Sequence, residues 1–390
     1  MALTIQRIHT EAALRALDPE WRALEAAHPF QAPEWSCAWW RHMADASLRI
    51  RDELYACAVR DGAGRLVAVA PLMRTVRPGL GPAVRIVQFM GADANLTELR
   101  TLAARRDEEP AAIRAVLDDL RAHAREWDWL HWGAVRAEGA AAEVLATEPG
   151  VQWSPHQSEY VLPLAATWDE QRARLSRNIK ESLRKCYNAP RRDHVHLDFS
   201  VVRTPARLLD ALPRLFELHA DRAGLEGSVK HHDVFASPRA RAFIGAAASE
   251  MASRGAACVF QLSHGGRVVA ARLGFLAGPS DRLYLYYGGF DTPYAKYSVM
   301  TTTVCEAIKW AIGEGARAVD FSFGTDVSKT RWGPDAIAWR SATIPSPSWR
   351  GRTTHALYSN AMKLVPAERI RAWWGRQNGS THGKPARPTC

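Results

Sequence analysis

Two side chains in the second half of this 390-residue chain have the chemistry to move a proton near neutral pH. His219 closes a run in which Leu208, Leu212, Leu215 and Leu218 recur at helical spacing, and a neutral imidazole is a competent base for an ammonium or hydroxyl group. A single histidine at a helix end also serves as a cap or a packed core group. Asp320 stands between Val319 and Phe321 at the end of a short apolar run, where a carboxylate is costly to bury alone. Lys329 or Arg331 is its expected partner, which leaves Asp320 as either a structural ion pair or the second base. Lys329 is equally suited to hold an anionic substrate group, or to be a solvated loop lysine.

A third feature suits a phosphate. Tyr297, Ser298, Val299, Met300, Thr301 and Thr302 lead into a helical pattern that runs to about Ile312. The first N–H groups of a helix have no internal partner and attract anions, and small hydroxylated residues let the backbone come close. The plainer role for Ser298 is an ordinary N-cap. Between Gln171 and Arg192 the chain also carries Arg172, Arg174, Arg177, Lys180, Arg184, Lys185, Arg191 and Arg192 against one acid, Glu181. Leu175, Ile179, Leu183 and Tyr187 recur there every fourth position, so the segment reads as an amphipathic helix ended by Pro190. Its basic face, with Arg177, Lys180, Arg184 and Lys185 at the centre, fits a tRNA or an anionic membrane surface. A solvated linker helix is the other reading.

Periodicity outlines the elements that must position these groups. The first half reads as a strand from Leu3, a helix over 11–26 and a second helix opened by Pro33 and carrying Trp35, Trp39 and Trp40. Strands follow over 54–59, 66–72 and 84–89, the first two joined by the hairpin turn Asp61-Gly62-Ala63-Gly64. A helix after Pro110 and strands near 129–132 and 160–164 close this half. The second half gives helices over 205–220 and 238–252, then strands over 257–262, 267–275 and 282–287. Its hairpin turn is Ser263-His264-Gly265-Gly266; the helix from 299 and a strand over 319–323 complete it. Each half thus has a glycine-turned hairpin, whose second strands begin Leu66-Val67-Ala68-Val69-Ala70 and Val268-Val269-Ala270-Ala271-Arg272, a sign of duplication. After Arg340 prolines and serines interrupt, and a last helix over 356–374 carries Lys363, Arg369, Arg371, Trp373 and Trp374. That helix resembles a basic, tryptophan-rimmed interfacial segment broken by Pro366.

Composition narrows the function class. Hydrophobic residues are 47% and charged residues 24%, values of a globular protein that set aside disorder and collagen-like structure. No run reaches the roughly 20 apolar residues of a spanning helix. The six cysteines form no Cys-x-x-Cys pair, which sets aside a zinc framework or secreted disulfide scaffold and makes the cytoplasm the expected compartment. The net charge of +10 favours an anionic partner. His-Glu-x-x-His, Gly-x-Ser-x-Gly and Walker motifs are absent from the sequence. The neighbours His231, His232 and Asp233 diverge too much to chelate a metal together, so no metal is expected.

Several stretches carry a family resemblance. Phe30-Gln31-Ala32-Pro33-Glu34-Trp35 with Trp39-Trp40, Val69-Ala70-Pro71-Leu72, and the basic helix around Leu175-Ser176-Arg177 and Leu183-Arg184-Lys185 resemble the CelD-like acetyltransferases. So do Leu215-Phe216-Glu217-Leu218-His219, Tyr286-Tyr287-Gly288-Gly289-Phe290-Asp291, and the stretch through Gly315, Asp320-Phe321, Gly324, Lys329 and Trp332. This is a branch of the GNAT superfamily associated with cellulose and exopolysaccharide synthesis and related to the FemAB peptidyltransferases. The resemblance runs from about residue 28 to about residue 335. It implies an α/β (α+β) fold of two tandem GNAT-like domains, each a mixed, largely antiparallel sheet flanked by helices. The expected divisions are 1–165, a basic linker helix over 166–192, an acyltransferase domain over 193–345, a helical extension over 346–376 and a disordered tail over 377–390.

The implied activity is N- or O-acyl transfer from acyl-CoA by direct attack, with Tyr297 to Thr302 at the cofactor diphosphate. Acceptors would be an amino sugar, a polysaccharide precursor or a lipid-like amine such as a long-chain base, the last implying peripheral contact with an anionic inner membrane. Where the family has Ser-Pro-Gly, this chain has Ser298-Val299-Met300, which also leaves an ester donor open. An aminoacyl-tRNA-dependent transferase like FemAB is the second reading, and an inactive GNAT scaffold the third.

Overall fold

Strand-forming residues fall into sixteen strands in a computed structural model that describes residues 3–24, 27–79, 82–93, 95–225, 232–277 and 282–364. In the first half these are β1 (Thr4–Ile8), β2 (Arg51–Leu54), β3 (Ala56–Arg60), β4 (Leu66–Ala70), β5 (Leu72–Arg77), β6 (Val84–Phe89), β7 (Ala103–Ala104), β8 (Trp129–Arg136), β9 (Gln152–Trp153) and β10 (Gln157–Pro163). The second half supplies β11 (Asp198–Val202), β12 (Ala257–His264), β13 (Arg267–Ala277), β14 (Arg282–Phe290), β15 (Ala318–Phe323) and β16 (Asp335–Pro345). A small sheet has the order β1-β3-β4-β7, and a twelve-stranded sheet runs β11-β12-β13-β14-β15-β10-β16-β8-β6-β5-β2, with β9 on β16. The fold is mixed α/β, largely antiparallel, with helices on its faces.

Each half holds one parallel pair, and a parallel pair needs a crossover. Helix Glu109–Ala122 crosses from β6 to β8, and helix Val299–Gly313 from β14 to β15. Beyond those pairs the halves trade strands. The strand β10 belongs to the first half in sequence but pairs with β15, whereas β16 belongs to the second half and pairs with β8. The two traded strands pair with each other, Glu159 opposite Ile337. The sheet therefore crosses the divisions expected at residues 165 and 193.

Helices seal the join. The tryptophan-rich helix Pro33–Met43 lies against helix Pro238–Ala252 of the other half, with the Trp35 ring 4.9 Å from Phe243 and 5.9 Å from Tyr286. Glu34, fully buried on that helix, takes Arg22 of its own half at 2.8 Å and Arg254 of the other at 2.8 Å. Helix Pro205–Ala223 rests directly on β14, because a side chain at Gly289 would meet the Leu218 carbonyl oxygen at 2.3 Å. The basic segment divides at Leu175 and Ser176 into helices Trp168–Arg174 and Arg177–Arg192; the second buries Ile179 and Leu183 as their spacing predicts, with Cys186 beside them and Tyr187 half-buried. Pro190 does not end it: in the last turn, a proline there leaves the helix running to Arg192.

Other expectations shift locally. The stretch over 11–26 forms two short helices, Glu11–Arg15 and Asp18–Arg22, where Pro19 starts a new first turn. Pro71 divides the run over 66–72 into β4 and β5. The last helix begins at Trp349, earlier than its spacing suggested. Residues 365–390, and with them Arg369, Arg371, Trp373, Trp374 and the tail, lie outside the described residues, as does His231. No described helix is long and apolar enough to cross a membrane.

Candidate active site

The parallel pairing of β14 with β15 lasts only three residues, from Arg282 opposite Ala318 to Tyr284 opposite Asp320. Beyond that point the strands part, β14 running on to Phe290 and β15 to Phe323. Register in β14 slips by one residue against β13, between Arg272 opposite Gly288 and Gly274 opposite Leu285, a bulge of the kind that re-aims a strand. The parted strands make a wedge-shaped mouth whose walls carry unpaired edges.

A loop from the first half enters this mouth. Tyr286 donates to the Leu96 carbonyl at 2.5 Å and Tyr287 to the Asn95 carbonyl at 2.7 Å. Glu98 then receives the Tyr284 hydroxyl from β14 and the Phe323 N–H from β15, the latter at 3.2 Å. Burial pushes the Glu98 carboxyl up, while Tyr284, Lys329, the Phe323 N–H and Arg272 pull less strongly in the other direction. Lys329 faces it on a short helix after β15, donating to Ser322 Oγ at 2.8 Å and to the Phe323 carbonyl. Burial lowers the Lys329 ammonium, Glu98 supports it, and nearby Arg272 lowers it further. The Glu98 carboxyl, raised, and the Lys329 ammonium, lowered, meet at Phe323, one through its N–H and the other through its carbonyl, and a carboxyl and an amine so placed can exchange a proton with a substrate.

Behind the mouth, Asp320 is fully buried and bonded to another acid. Glu159 on β10 receives its hydrogen bond. Arg282 Nη1 lies 3.3 Å from Asp320 and 3.8 Å from Glu159, and the His28 ring nitrogen Nε2 lies 3.6 Å from Glu159. Burial and the adjacent Glu159 hold the Asp320 carboxyl well above its ordinary range; the Ser322 N–H and Arg282 do not reverse this. Against its own burial, Glu159 is held below its ordinary value by His28, by the bond from Asp320 and by Arg282. The pair therefore shares one proton. Arg282, not Lys329 or Arg331, is the cation beside Asp320. The three side chains His28, Glu159 and Asp320 are close enough to frame an ion, but the Arg282 guanidinium already supplies the positive charge there.

His219 has a different setting from a free base. Buried, it places Nδ1 3.2 Å from the Gly288 carbonyl and Nε2 3.3 Å from the His232 carbonyl. Both nitrogens face carbonyl oxygens, and burial lowers the imidazole, so the neutral ring donates to one of the two carbonyls and braces β14 against the segment after helix Pro205–Ala223.

The entry to helix Val299–Gly313 also departs from a plain cap. Ser298 is left-handed, φ 54°, and its side chain caps nothing. Its carbonyl takes the N–H groups of Thr301 and Thr302 at 2.8 and 3.3 Å. Val299 and Tyr297 are buried, the latter donating to Asp193 at 3.0 Å, and Met300 reaches Gly288. Arg331 donates to the Thr301 hydroxyl at 2.6 Å, and among the described residues no carboxylate pairs with it. Thr302 is buried with the Cys186 thiol of the basic helix beside it. A guanidinium with no carboxylate partner at a helix N-terminus fits an anion such as a diphosphate. On the basic helix, Arg177 is paired to Glu181 at 3.0 Å and Lys180 to the Ala173 carbonyl at 2.9 Å. Arg184 and Lys185 are exposed and have no partner among the described residues.

Residues 171–330, which hold the strand mouth, Lys329 and the helix entry, match the family model of the acetyltransferase (GNAT) domain. The chain carries a GNAT-type acyltransferase domain. A FemX crystal structure shares the fold at a TM-score of 0.53 and 12% identity, covering 86% of this chain and 96% of that one. So does the C-terminal domain of an Agrobacterium fabrum protein described as a lysylphosphatidylglycerol synthetase, at 0.53 and 10%, covering 90% and 97%. A tandem GNAT protein from the clavulanic acid biosynthesis pathway aligns at 0.43 and 12%, over 89% and 99%. No curated protein matches the chain in sequence. Glu98 of the other half thus enters the mouth of this domain, and His28 of that half lies behind it. Sequence reading passed over both, and over Glu159, because each lies far from the motifs of the domain it serves.

Proposed function

We propose that the chain transfers an acyl group from a thioester of the CoA type to an amine or hydroxyl acceptor by direct attack, in the mouth between β14 and β15. The observation that carries this reading is the Glu98 carboxyl opposite Lys329 at the point where the strands part. In this reading the acceptor nitrogen bonds to the acyl carbon as the carbon–sulfur bond breaks. Glu98 takes the amine proton, Lys329 gives its own to the departing sulfur, and the proton on Glu98 then restores Lys329. Tyr297 to Thr302 and Arg331 receive the donor diphosphate; Asp320 and His219 support the mouth from behind. The likeness to CelD-like acetyltransferases favours an amino sugar or polysaccharide precursor as acceptor, with a long-chain base as the lipid alternative, in the cytoplasm or at the inner membrane surface.

Calorimetry with CoA, acetyl-CoA and long-chain acyl-CoA, followed by thiol release with a panel of amines, tests this. Glu98→Gln should lower kcat at least 10²-fold with donor affinity retained, and Thr301→Asp should abolish donor binding. If no thioester binds the wild-type chain, the thioester reading falls. A second reading, an aminoacyl ester carried on tRNA, is favoured by exposed, unpaired Arg184 and Lys185 beside the donor end. It requires RNA binding that weakens steeply with salt and weakens again in Arg184→Ala/Lys185→Ala.

A further inference from the structure

The inner wall of the mouth holds charged groups that the transfer itself does not use. Glu159 and Asp320 come from the two neighbouring strands at which the halves trade partners, and neither is exposed. The β10–β15 register shifts between Glu159 and Val161, so the pair sits at an irregularity. Asp320 Oδ1 accepts the Ser322 N–H at 2.8 Å. Glu159 is fixed in turn by Trp339 of β16, whose indole donates to it at 2.9 Å.

Ser322 is the consequence of that grip. It is a buried strand residue with φ 70°, a left-handed backbone that a side chain adopts only where its surroundings compel it. In this conformation its hydroxyl accepts from Lys329 Nζ at 2.8 Å. One continuous path thus runs from Trp339 through Glu159, Asp320 and Ser322 to the amine in the mouth.

We propose that the Glu159–Asp320 pair is a positioning latch: Asp320 holds Ser322 in its left-handed backbone, and Ser322 holds the Lys329 amine between the parted strands. The proposal gives Lys329 a fixed place; that Lys329 takes part in transfer rests on the function proposed above. Asp320 is a positioning residue and touches no substrate. The latch is pH-sensitive in a definite direction. The groups facing it are Arg282 and Tyr284 on β14, His28 and Glu98 from the first half, and Lys329 after β15. With one shared proton the two acids attract. As pH rises and that proton leaves, two anions face a single Arg282 and the latch opens.

The test is the reactivity of Lys329 toward trace acetic anhydride, read by mass spectrometry on the full chain between pH 6 and 10. Wild type should label slowly near neutrality and faster on the alkaline side. Asp320→Asn, whose amide can still accept from Ser322 and donate to Glu159, should label within about twofold of wild type at neutral pH; deprotonation of the amine itself raises labelling in both chains, so the opening is read as a wild-type to Asp320→Asn ratio that climbs on the alkaline side. Asp320→Ala and Ser322→Gly should both label at least about fivefold faster at neutral pH. Equal labelling in wild type and Ser322→Gly would overturn the latch, and this variant decides the matter if Asp320→Ala does not melt cooperatively. A wild-type to Asp320→Asn ratio that stays flat from pH 6 to 10 would overturn the pH direction. Because labelling needs no acyl transfer, a latch that behaves as expected in a chain that binds no thioester would sink only the function reading.

Discussion

His28 is 4% exposed and wedged between rings, 4.7 Å from Phe30 and 4.8 Å from Tyr284. Burial, opposed by Glu159 and aided by Arg282, pushes its imidazole down to about 4. A histidine lowered in the fold is neutral there while its unfolded counterpart takes up a proton below about 6.5. Its contribution to stability is therefore complete above pH 6.5 and is lost as pH falls through 4, at about 1.4 kcal/mol per pH unit within that window. Urea titrations of the wild type at pH 7, 6 and 5 should register the fall. His28→Phe should flatten this slope, and an unchanged slope would place the acid sensitivity elsewhere. Glu34 is a second polar group of the core, its carboxyl oxygens held by Arg22 and Arg254. Both guanidinium groups are partly exposed and regain water when the carboxylate goes. Glu34→Ala should accordingly cost about 1.5–3 kcal/mol, and denaturant midpoints would check it.

At the scale of elements, the sequence was most legible where local chemistry decides. The turn at Gly265 and Gly266, both left-handed at φ 57° and 80°, fixes the β12–β13 hairpin from four residues. Ile179 and Leu183, four residues apart, mark the buried face of the basic helix in the same way, although the helix starts only after Leu175. It was least legible at β11 and β16. Asp335–Pro345 mixes charged, aromatic and small residues because one strand meets β10, β8 and β9 in turn, so no single face alternates cleanly. Asp320 and Lys329 could be singled out as chemistry-bearing, but the partner of Asp320 could not. Arg282 and Glu159 reach it only after long-range pairing. Contact between helix Pro205–Ala223 and β14 offers a sharp test of packing. Gly289→Ala places a methyl group 2.2 Å from the His219 nitrogen, backbone that cannot swing aside. The helix must lift, at about 1–3 kcal/mol, and the His219 bonds to Gly288 and His232 should weaken with it, visible as faster amide exchange along Leu215 to His219.

The molecule as a whole has one sheet because each half gives a strand to the other. Among its consequences is the composition of the mouth itself: residues 98, 159, 320 and 329 come from both halves, so on the proposed function neither half owns a complete reaction centre. Co-expressed fragments covering 1–192 and 193–390 should be inactive singly and regain thiol release only on association; activity in the second fragment alone would contradict this. The exchange also sets a timetable for synthesis. While the ribosome has made only the first 300 residues, β8 has no β16 beside it and β10 has no β15. These bare strand edges must wait for residues 318–345, which favours a chaperone-held nascent chain and a slow, single closing step over domain-by-domain folding.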